Sequence, residues 1–175
     1  AMAWLRFILE RLYFVGHEHD KSIRFLFNPG LFGQDLSKHP ALVQADIIHI
    51  HWVNFGFLGI GNIQKLVGMG KPVFWTLHDM WLFTGGCHYA GDCKQFEQNC
   101  SACPIVYMKK TPSLLWRKKE LIFKNKKVSV IAPSQWLVDE SKKASLTKNA
   151  NSICVPNTLN SALFTNLNKV EACKK

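Results

Sequence analysis

Apolar residues concentrate in four short runs along the chain, and longer stretches with helical spacing separate these runs. The runs are residues 45–51, 72–77, 128–132 and 152–155. Each run is nearly continuous in apolar and β-branched residues, which is typical of strands buried on both faces of a parallel sheet. An earlier run, residues 23–27, is also predicted as a strand.

Helical spacing fills the segments between the runs. Helices are predicted over residues 3–12, 62–69, 112–126 and 134–144, and Ser134 is the expected N-cap of the last one. Strands that alternate with helices predict an α/β fold, with a Rossmann-like parallel sheet flanked by helices. In such sheets, ligands bind at the carboxyl ends of the strands.

Polar residues collect at those predicted strand ends. The candidates that follow a strand are His51, His78, Asp79, Ser134 and Asn157. His78 and Asp79 could form a general base with its carboxylate, or Asp79 could instead cap the next turn. The histidines could hold a metal ion, bind an anionic or hydroxyl-rich ligand, or serve core hydrogen bonds. His49 is expected to be buried.

Length and charge narrow the class of protein. The 175 residues are 47% apolar and 19% charged, which predicts one globular domain rather than a disordered chain. No apolar run approaches the roughly 20 residues of a membrane span. The formal net charge of +10 favours anionic partners such as nucleic acid, phosphorylated ligands or an acidic membrane surface.

Four of the six cysteines lie in one irregular, Cys-rich loop. Cys87, Cys93, Cys100 and Cys103 follow the spacing C-x5-C-x6-C-x2-C. Four thiolates so close in sequence suit a structural zinc ion with no open coordination position, although disulfides, free thiols or an iron–sulfur cluster remain alternatives. A local cluster rather than a dispersed framework favours a reduced, cytoplasmic location.

The stretch 109–127 is rich in lysine and arginine and carries apolar residues at helical spacing. Such a helix fits contact with an acidic membrane surface, nucleic-acid phosphates, or simply solvent. Leu114, Leu115, Leu121 and Ile122 are expected to share its apolar face.

Several segments, taken in order, resemble the N-terminal domain of the family 4 glycosyltransferases, which have the two-domain GT-B fold. They are NPGLF at 28–32, ADIIHIHW at 45–52, TLHDMW at 76–81, APSQWL at 132–137 and VPN at 155–157. The segment GGCHY at 85–89, with the cysteines, resembles a bacterial subgroup that builds capsular or exopolysaccharide. The usual Gly-Ile-Asp after Pro-Asn is replaced here by Thr158-Leu159-Asn160.

The resemblance implies a retaining transferase that moves a sugar from a nucleotide-sugar to a glycan or lipid-linked acceptor. His78 would be the catalytic-cleft residue, and the substrate-binding candidates are His51, Asp79, His88, Ser134 and Asn157. Residues 1–165 would be the acceptor-binding domain, truncated at its start, and residues 166–175 would begin the linker to an absent domain that binds the donor. As an isolated fragment, the chain is expected to be inactive.

Two readings from other classes stand beside this one. A zinc-stapled, basic α/β module could bind nucleic acid, although the aromatic residues are not interleaved with the basic ones as stacking platforms would be. A thiol redox protein is the third reading, and an unperturbed pKa of Cys100 would argue against it.

Overall fold

A four-stranded sheet organises the chain. Its strands are β1, Ile48–Ile50; β2, Val73–Thr76; β3, Val128–Ala132; and β4, Asn151–Cys154. All neighbouring strands are parallel, in the order β1-β2-β3-β4. The computed structural model describes residues 2–18, 21–108, 110–124, 128–162, 164 and 173. Each of the four predicted runs therefore overlaps one strand, and β4 begins one residue before its run.

Helices connect and cover the strands. They are α1, Met2–Val15; α2, Pro40–Gln44; α3, Ile60–Val67; α4, Lys110–Phe123; and α5, Gln135–Lys143. One helix follows each of β1, β2 and β3, which confirms the predicted Rossmann-like α/β arrangement. The hydroxyl of Ser134 accepts a hydrogen bond from the backbone N–H of Leu137, so Ser134 caps α5 as predicted. The short helix α2 has no counterpart among the predicted elements.

The hydrophobic core lies on one face of the sheet. Alternate residues of the first three strands are buried there, including Ile48, Ile50, Val73, Trp75, Val128 and Val130. The residues between them are exposed or half-buried. The expectation of strands fully buried on both faces is therefore wrong for the described chain, and so is the burial predicted for His49, which lies on the open face.

The predicted strand at residues 23–27 is wrong. Lys21–Ile23 forms a 3-10 helix, and a turn follows in which the N–H of Leu26 donates to the carbonyl of Ile23. Only Phe27 makes a bridge, antiparallel to Cys87. Phe27 is buried and its ring stacks on that of Phe14 in α1. This packing against α1 replaces pairing with the sheet.

Helix α4 differs from its prediction in the residues that it buries. Leu115 and Ile122 are buried, whereas Leu114 and Leu121 are exposed, so the four residues do not share one face. Lys119 belongs to the predicted basic surface but is fully buried. Exposed basic residues remain at Lys110, Arg117, Lys118 and Lys124. Residues 109 and 125–127 of the predicted basic stretch lie outside the described residues. No described helix is both long enough and apolar enough to span a membrane.

Candidate functional site

The carboxyl ends of β1 and β2 bring two histidine-containing segments side by side. Ile50 pairs with Trp75 in the sheet register, so the residues that follow each strand emerge next to one another. Nδ1 of His51 lies 3.0 Å from Nε2 of His78, and Nε2 of His49 lies 2.8 Å from the hydroxyl of Thr76. The structure thus brings His51 and His78 together at the expected edge, and both side chains are exposed there.

The surroundings of the His49 imidazole disfavour its protonated form. Partial burial, and then the nearby His51 ring, lower the pKa of His49 below its usual value. The two ring centroids are 4.4 Å apart. Among the described residues, no three histidine, cysteine, aspartate or glutamate side chains are placed where they could hold a metal ion. The structure gives no support to a histidine metal site.

Asp79 turns away from its neighbour His78 and into the protein. Its Oδ1 accepts a hydrogen bond of 2.8 Å from the N–H of Trp81 and so caps the turn that leads into the 3-10 helix Trp81–Phe83. Its Oδ2 lies 2.6 Å from Nδ1 of His88 and accepts from the indole N–H of Trp52 at 3.1 Å. Asp79 therefore fills the capping role and also orients a histidine, but that histidine is His88 and not His78.

His88 is buried beside Asp79, and only one of its two ring nitrogens has a hydrogen-bond partner among the described residues. Nε2 is buried and has no hydrogen-bond partner among the described residues. The ring lies nearly parallel to that of Phe55, with centroids 5.7 Å apart. With the carboxylate at Nδ1, the tautomer protonated at Nδ1 leaves Nε2 as an acceptor. The pair can therefore accept a proton or a hydrogen bond only from a hydroxyl group that reaches this buried nitrogen.

Asn28 supports the same region from the loop before α2. Its backbone carbonyl accepts a hydrogen bond of 2.7 Å from the indole N–H of Trp81, and its Oδ1 accepts one of 3.2 Å from Asn54. Its side-chain nitrogen is buried without a partner. Gly30, two residues after Asn28, has a φ of +62°, and a Cβ at this position would lie 2.5 Å from the Trp81 ring. This contact explains the glycine of the NPGLF segment.

The four clustered cysteines surround one small cavity directly after the Asp79 turn. Cys87, Cys93, Cys100 and Cys103 all line it, and its volume is about 10 Å³, which is room for a single small occupant. All four thiols are free. Burial raises the pKa of Cys87 to about 12 and that of Cys100 to about 11. The described geometry does not present three of them as metal ligands. Zinc stays a prediction.

Lys119 connects α4 to this loop. Its ammonium group donates hydrogen bonds to the carbonyls of Trp81 and Thr84 and lies 3.6 Å from the centre of the Trp81 ring. Complete burial lowers its pKa to about 7. Lys119 therefore holds the turn after β2 in place. Nothing in the local sequence distinguishes Lys119 from the exposed lysines of this helix. Only its helical spacing from Leu115 and Ile122, which are both buried, could have predicted its burial.

Ser134 and Asn157 follow β3 and β4 at the same edge of the sheet, and both are exposed. Ser134 is engaged in capping α5. Trp136, two residues later, was not among the predicted site residues, yet its ring stacks with that of Tyr89, with centroids 6.4 Å apart. The hydroxyl of Tyr89 donates to the carbonyl of His78 at 3.3 Å.

Comparison with known proteins adds one relationship. The chain is 28% identical over 92 residues to an Escherichia coli (strain K12) protein named "Putative colanic acid biosynthesis glycosyl transferase WcaC". The aligned region covers 46% of this chain and 22% of that protein, so the chain spans about a fifth of the relative's length. No protein-family model matches the chain, and no solved structure matches it.

Proposed function

We propose that this chain is the acceptor-binding part of a retaining GT-B glycosyltransferase of bacterial surface-polysaccharide biosynthesis. The observation that carries the proposal is the Asp79–His88 pair, buried beside the carboxyl edge of a Rossmann-like sheet. Similarity to a named glycosyl transferase supports the same reaction class. The donor would be a nucleotide-sugar, and the acceptor a glycan or a lipid-linked sugar.

The reaction requires an acceptor hydroxyl to lose its proton while its oxygen bonds to the anomeric carbon of the donor. The bond from that carbon to the nucleotide's phosphate oxygen breaks, and the phosphate carries away the electron pair. Nε2 of His88, oriented through Asp79, would accept a hydrogen bond or the proton from a hydroxyl that enters this buried site. His78, exposed at the strand end with His51, would contact the reacting sugar.

The remaining candidates fit the same edge of the sheet. Ser134 and Asn157 follow the next two strands and would contact substrate from that side. In this proposal residues 1–165 form the acceptor-binding domain, and residues 166–175 begin the connection to a domain that binds the nucleotide. Most of that second segment lies outside the described residues.

The exposed basic residues of α4 fit an acidic membrane surface. Lys110, Arg117 and Lys118 are exposed on this helix, and the exposed Lys124 directly follows it. Each lysine or arginine near an anionic surface adds roughly 1 kcal/mol of attraction. We propose peripheral contact with the cytoplasmic membrane face, where a lipid-linked acceptor would be presented.

Transfer of a radiolabelled sugar by the full-length gene product tests the proposal. The assay would supply a panel of nucleotide-sugars and lipid-linked acceptors from the source organism. We expect transfer by the full-length protein, none by residues 1–175 alone, and a loss of about 10²-fold or more in His78→Ala. His17→Ala is the matched control, because His17 is a partly exposed histidine just after α1, where its ring bonds the carbonyl of Tyr13.

Absence of transfer with every donor would contradict the proposal. A product with inverted anomeric configuration would contradict the retaining mechanism. A salt-sensitive gel shift with RNA or DNA would favour the nucleic-acid reading, for which the described site offers no specific observation.

A further inference from the structure

A groove of about 700 Å³ lies between the cysteine loop and α5. Its walls include Tyr89, Asp92, Phe96, Glu97, Trp136 and Glu140. The volume lies in the range of small-molecule sites in proteins. Neither Asp79 nor His88 lines this groove, and the sugar transfer proposed above does not use it, although Cys93 of the cysteine cluster is one of its lining residues.

Two exposed aromatic rings line the groove. Tyr89 is 55% exposed and Trp136 is 52% exposed, although both are large and apolar. Their planes differ by only 20°, with centroids 6.4 Å apart. Exposed aromatic rings in a concave site supply contact area at a low cost in conformational entropy. Rings of this kind pack against flat ligands that present an apolar face.

The charges around the groove oppose those of the whole chain. Three carboxylate side chains line it, from Asp92, Glu97 and Glu140, against two lysines, Lys94 and Lys143. Lys143 is already paired with Glu140, with 2.6 Å between Nζ and Oε1. The chain as a whole carries +10. A phosphate-rich ligand is therefore disfavoured here, whereas carboxylates readily accept hydrogen bonds from hydroxyl groups.

The groove also touches the strand end that carries His78. The Tyr89 hydroxyl donates to the His78 carbonyl, so one wall of the groove is tied to the proposed reaction centre. Trp136 lies just after the Ser134 cap of α5, at the carboxyl end of β3. A ligand in this groove would thus extend away from the edge where transfer would occur.

We propose that this groove binds neutral sugar units of the acceptor glycan, with Tyr89 and Trp136 packing against a sugar ring and the carboxylates accepting bonds from its hydroxyls. The proposal rests on the function proposed above and specifies where the acceptor chain lies. It commits to an uncharged, hydroxyl-rich ligand rather than to a nucleotide or a phosphate.

Saturation-transfer NMR on the full chain tests this assignment. The probes are lactose, maltose and cellobiose at millimolar concentration, with inorganic pyrophosphate as the anionic comparison. We expect at least one disaccharide to bind, Trp136→Ala to weaken its binding by about tenfold, and Trp136→Phe to keep most of it. Trp4→Ala is the matched control, because Trp4 is 71% exposed on α1, outside the groove lining.

Three outcomes would overturn the proposal: no binding of any disaccharide, equal binding by Trp136→Ala, or Trp136-dependent binding of pyrophosphate in preference to sugar. Circular dichroism and the melting temperature of each variant show that it folds. Kinetics of the full-length protein separate this proposal from the transferase proposal. If Trp136→Ala transfers sugar with an unchanged acceptor KM, the groove is not the acceptor site, and the transferase proposal still stands. If sugar binding depends on Trp136 but no transfer occurs, the groove binds sugar and the transferase proposal is contradicted.

Discussion

Nδ1 of His88 lies 2.6 Å from Oδ2 of Asp79, although nine positions separate the two residues in the chain. Both side chains are buried, and the indole N–H of Trp52 donates to the same carboxylate oxygen. The other oxygen of Asp79 accepts from the N–H of Trp81 in the turn after β2, and the chain returns to His88 after the 3-10 helix Trp81–Phe83. One carboxylate therefore shapes the turn and orients the histidine that the turn brings back.

Replacing Asp79 by asparagine tests the functional meaning of this pair. Asp79→Asn keeps the size of the side chain but places an amide where His88 and Trp52 now meet a carboxylate. In the full-length protein we expect kcat to fall by about 10²- to 10⁴-fold, with a smaller change in acceptor KM. The measurement is steady-state transfer across a pH series, since loss of the oriented imidazole would also alter the pH profile.

Stability measurements on the same variant separate positioning from folding. An unmatched buried donor costs about 1–3 kcal/mol, so Asp79→Asn should lower the free energy of unfolding by that amount. Asp46→Asn, at an exposed carboxylate before β1, should change it by less than about 0.5 kcal/mol. Full activity in Asp79→Asn would show that the pair only supports the turn.

The buried ammonium of Lys119 predicts a signed dependence of stability on pH. Its pKa is lowered to about 7 by burial, so between pH 7 and its unfolded value of 10.5 the unfolded chain binds more protons than the native one. The free energy of unfolding should therefore rise with pH from about 7, by about 1.4 kcal/mol per pH unit. Denaturant unfolding at several pH values measures this slope.

The groups that face Lys119 set the upper end of that window. Cys87 and Cys100 keep their protons to about pH 12 and 11, whereas unfolded thiols release theirs near pH 9.0. Stability should thus fall again above about pH 9. Lys119→Met should abolish the rise between pH 7 and 9, and an unchanged slope in that variant would assign it to another group.

Gly86 provides a test of the packing behind the cysteine loop. Its φ is +137°, and a Cβ at this position would lie 2.4 Å from the Phe27 ring. Gly86→Ala should therefore lower the free energy of unfolding by about 2–4 kcal/mol, through backbone strain and a clash in the core. Gly61→Ala in α3 is the control: its Cβ would meet nothing within 4 Å, so it should be neutral or slightly stabilising. Equal melting temperatures for both variants would contradict this packing.

The raised thiol pKa values predict protection of the cysteine loop from alkylation. At pH 8 iodoacetamide should modify the exposed Cys173 first and Cys87 at least about 10²-fold more slowly, because the thiolate is the reactive form. Peptide mass spectrometry over time measures the order, and labelling in denaturant confirms that all six cysteines can react. Early labelling of Cys87 would show an open loop or a lowered pKa.

Metal analysis of the same preparation tests the zinc prediction. Bound zinc would appear at one ion per chain in native mass spectrometry, and a chelator would lower the melting temperature. Cys100→Ser should destabilise the fold without altering donor choice, since the Cys100 thiol is buried and accepts a bond from the N–H of Gly85. Zinc-free protein with an unchanged melting temperature would establish the loop as a cluster of free thiols.

The sequence alone was sufficient for the parallel α/β sheet and the edge where polar residues gather. The local spacing of apolar residues predicts each of the four strands and most of the helices. The position of Ser134 directly before an apolar helical pattern predicts that it caps α5. The paired His51 and His78 follow from the rule that parallel strands end at one edge. These features depend on periodicity and position, which a sequence displays directly.

Tertiary structure alone decided the contacts between segments. The turn after β2 pairs Asp79 with His88 rather than with adjacent His78, α4 buries Lys119 against two carbonyls, and the loop sets Tyr89 against Trp136. Residues 23–27 have strand composition, yet Phe27 packs on α1 instead of extending into the sheet. Each outcome depends on which distant surface a side chain meets, and local propensity carries no information about that surface.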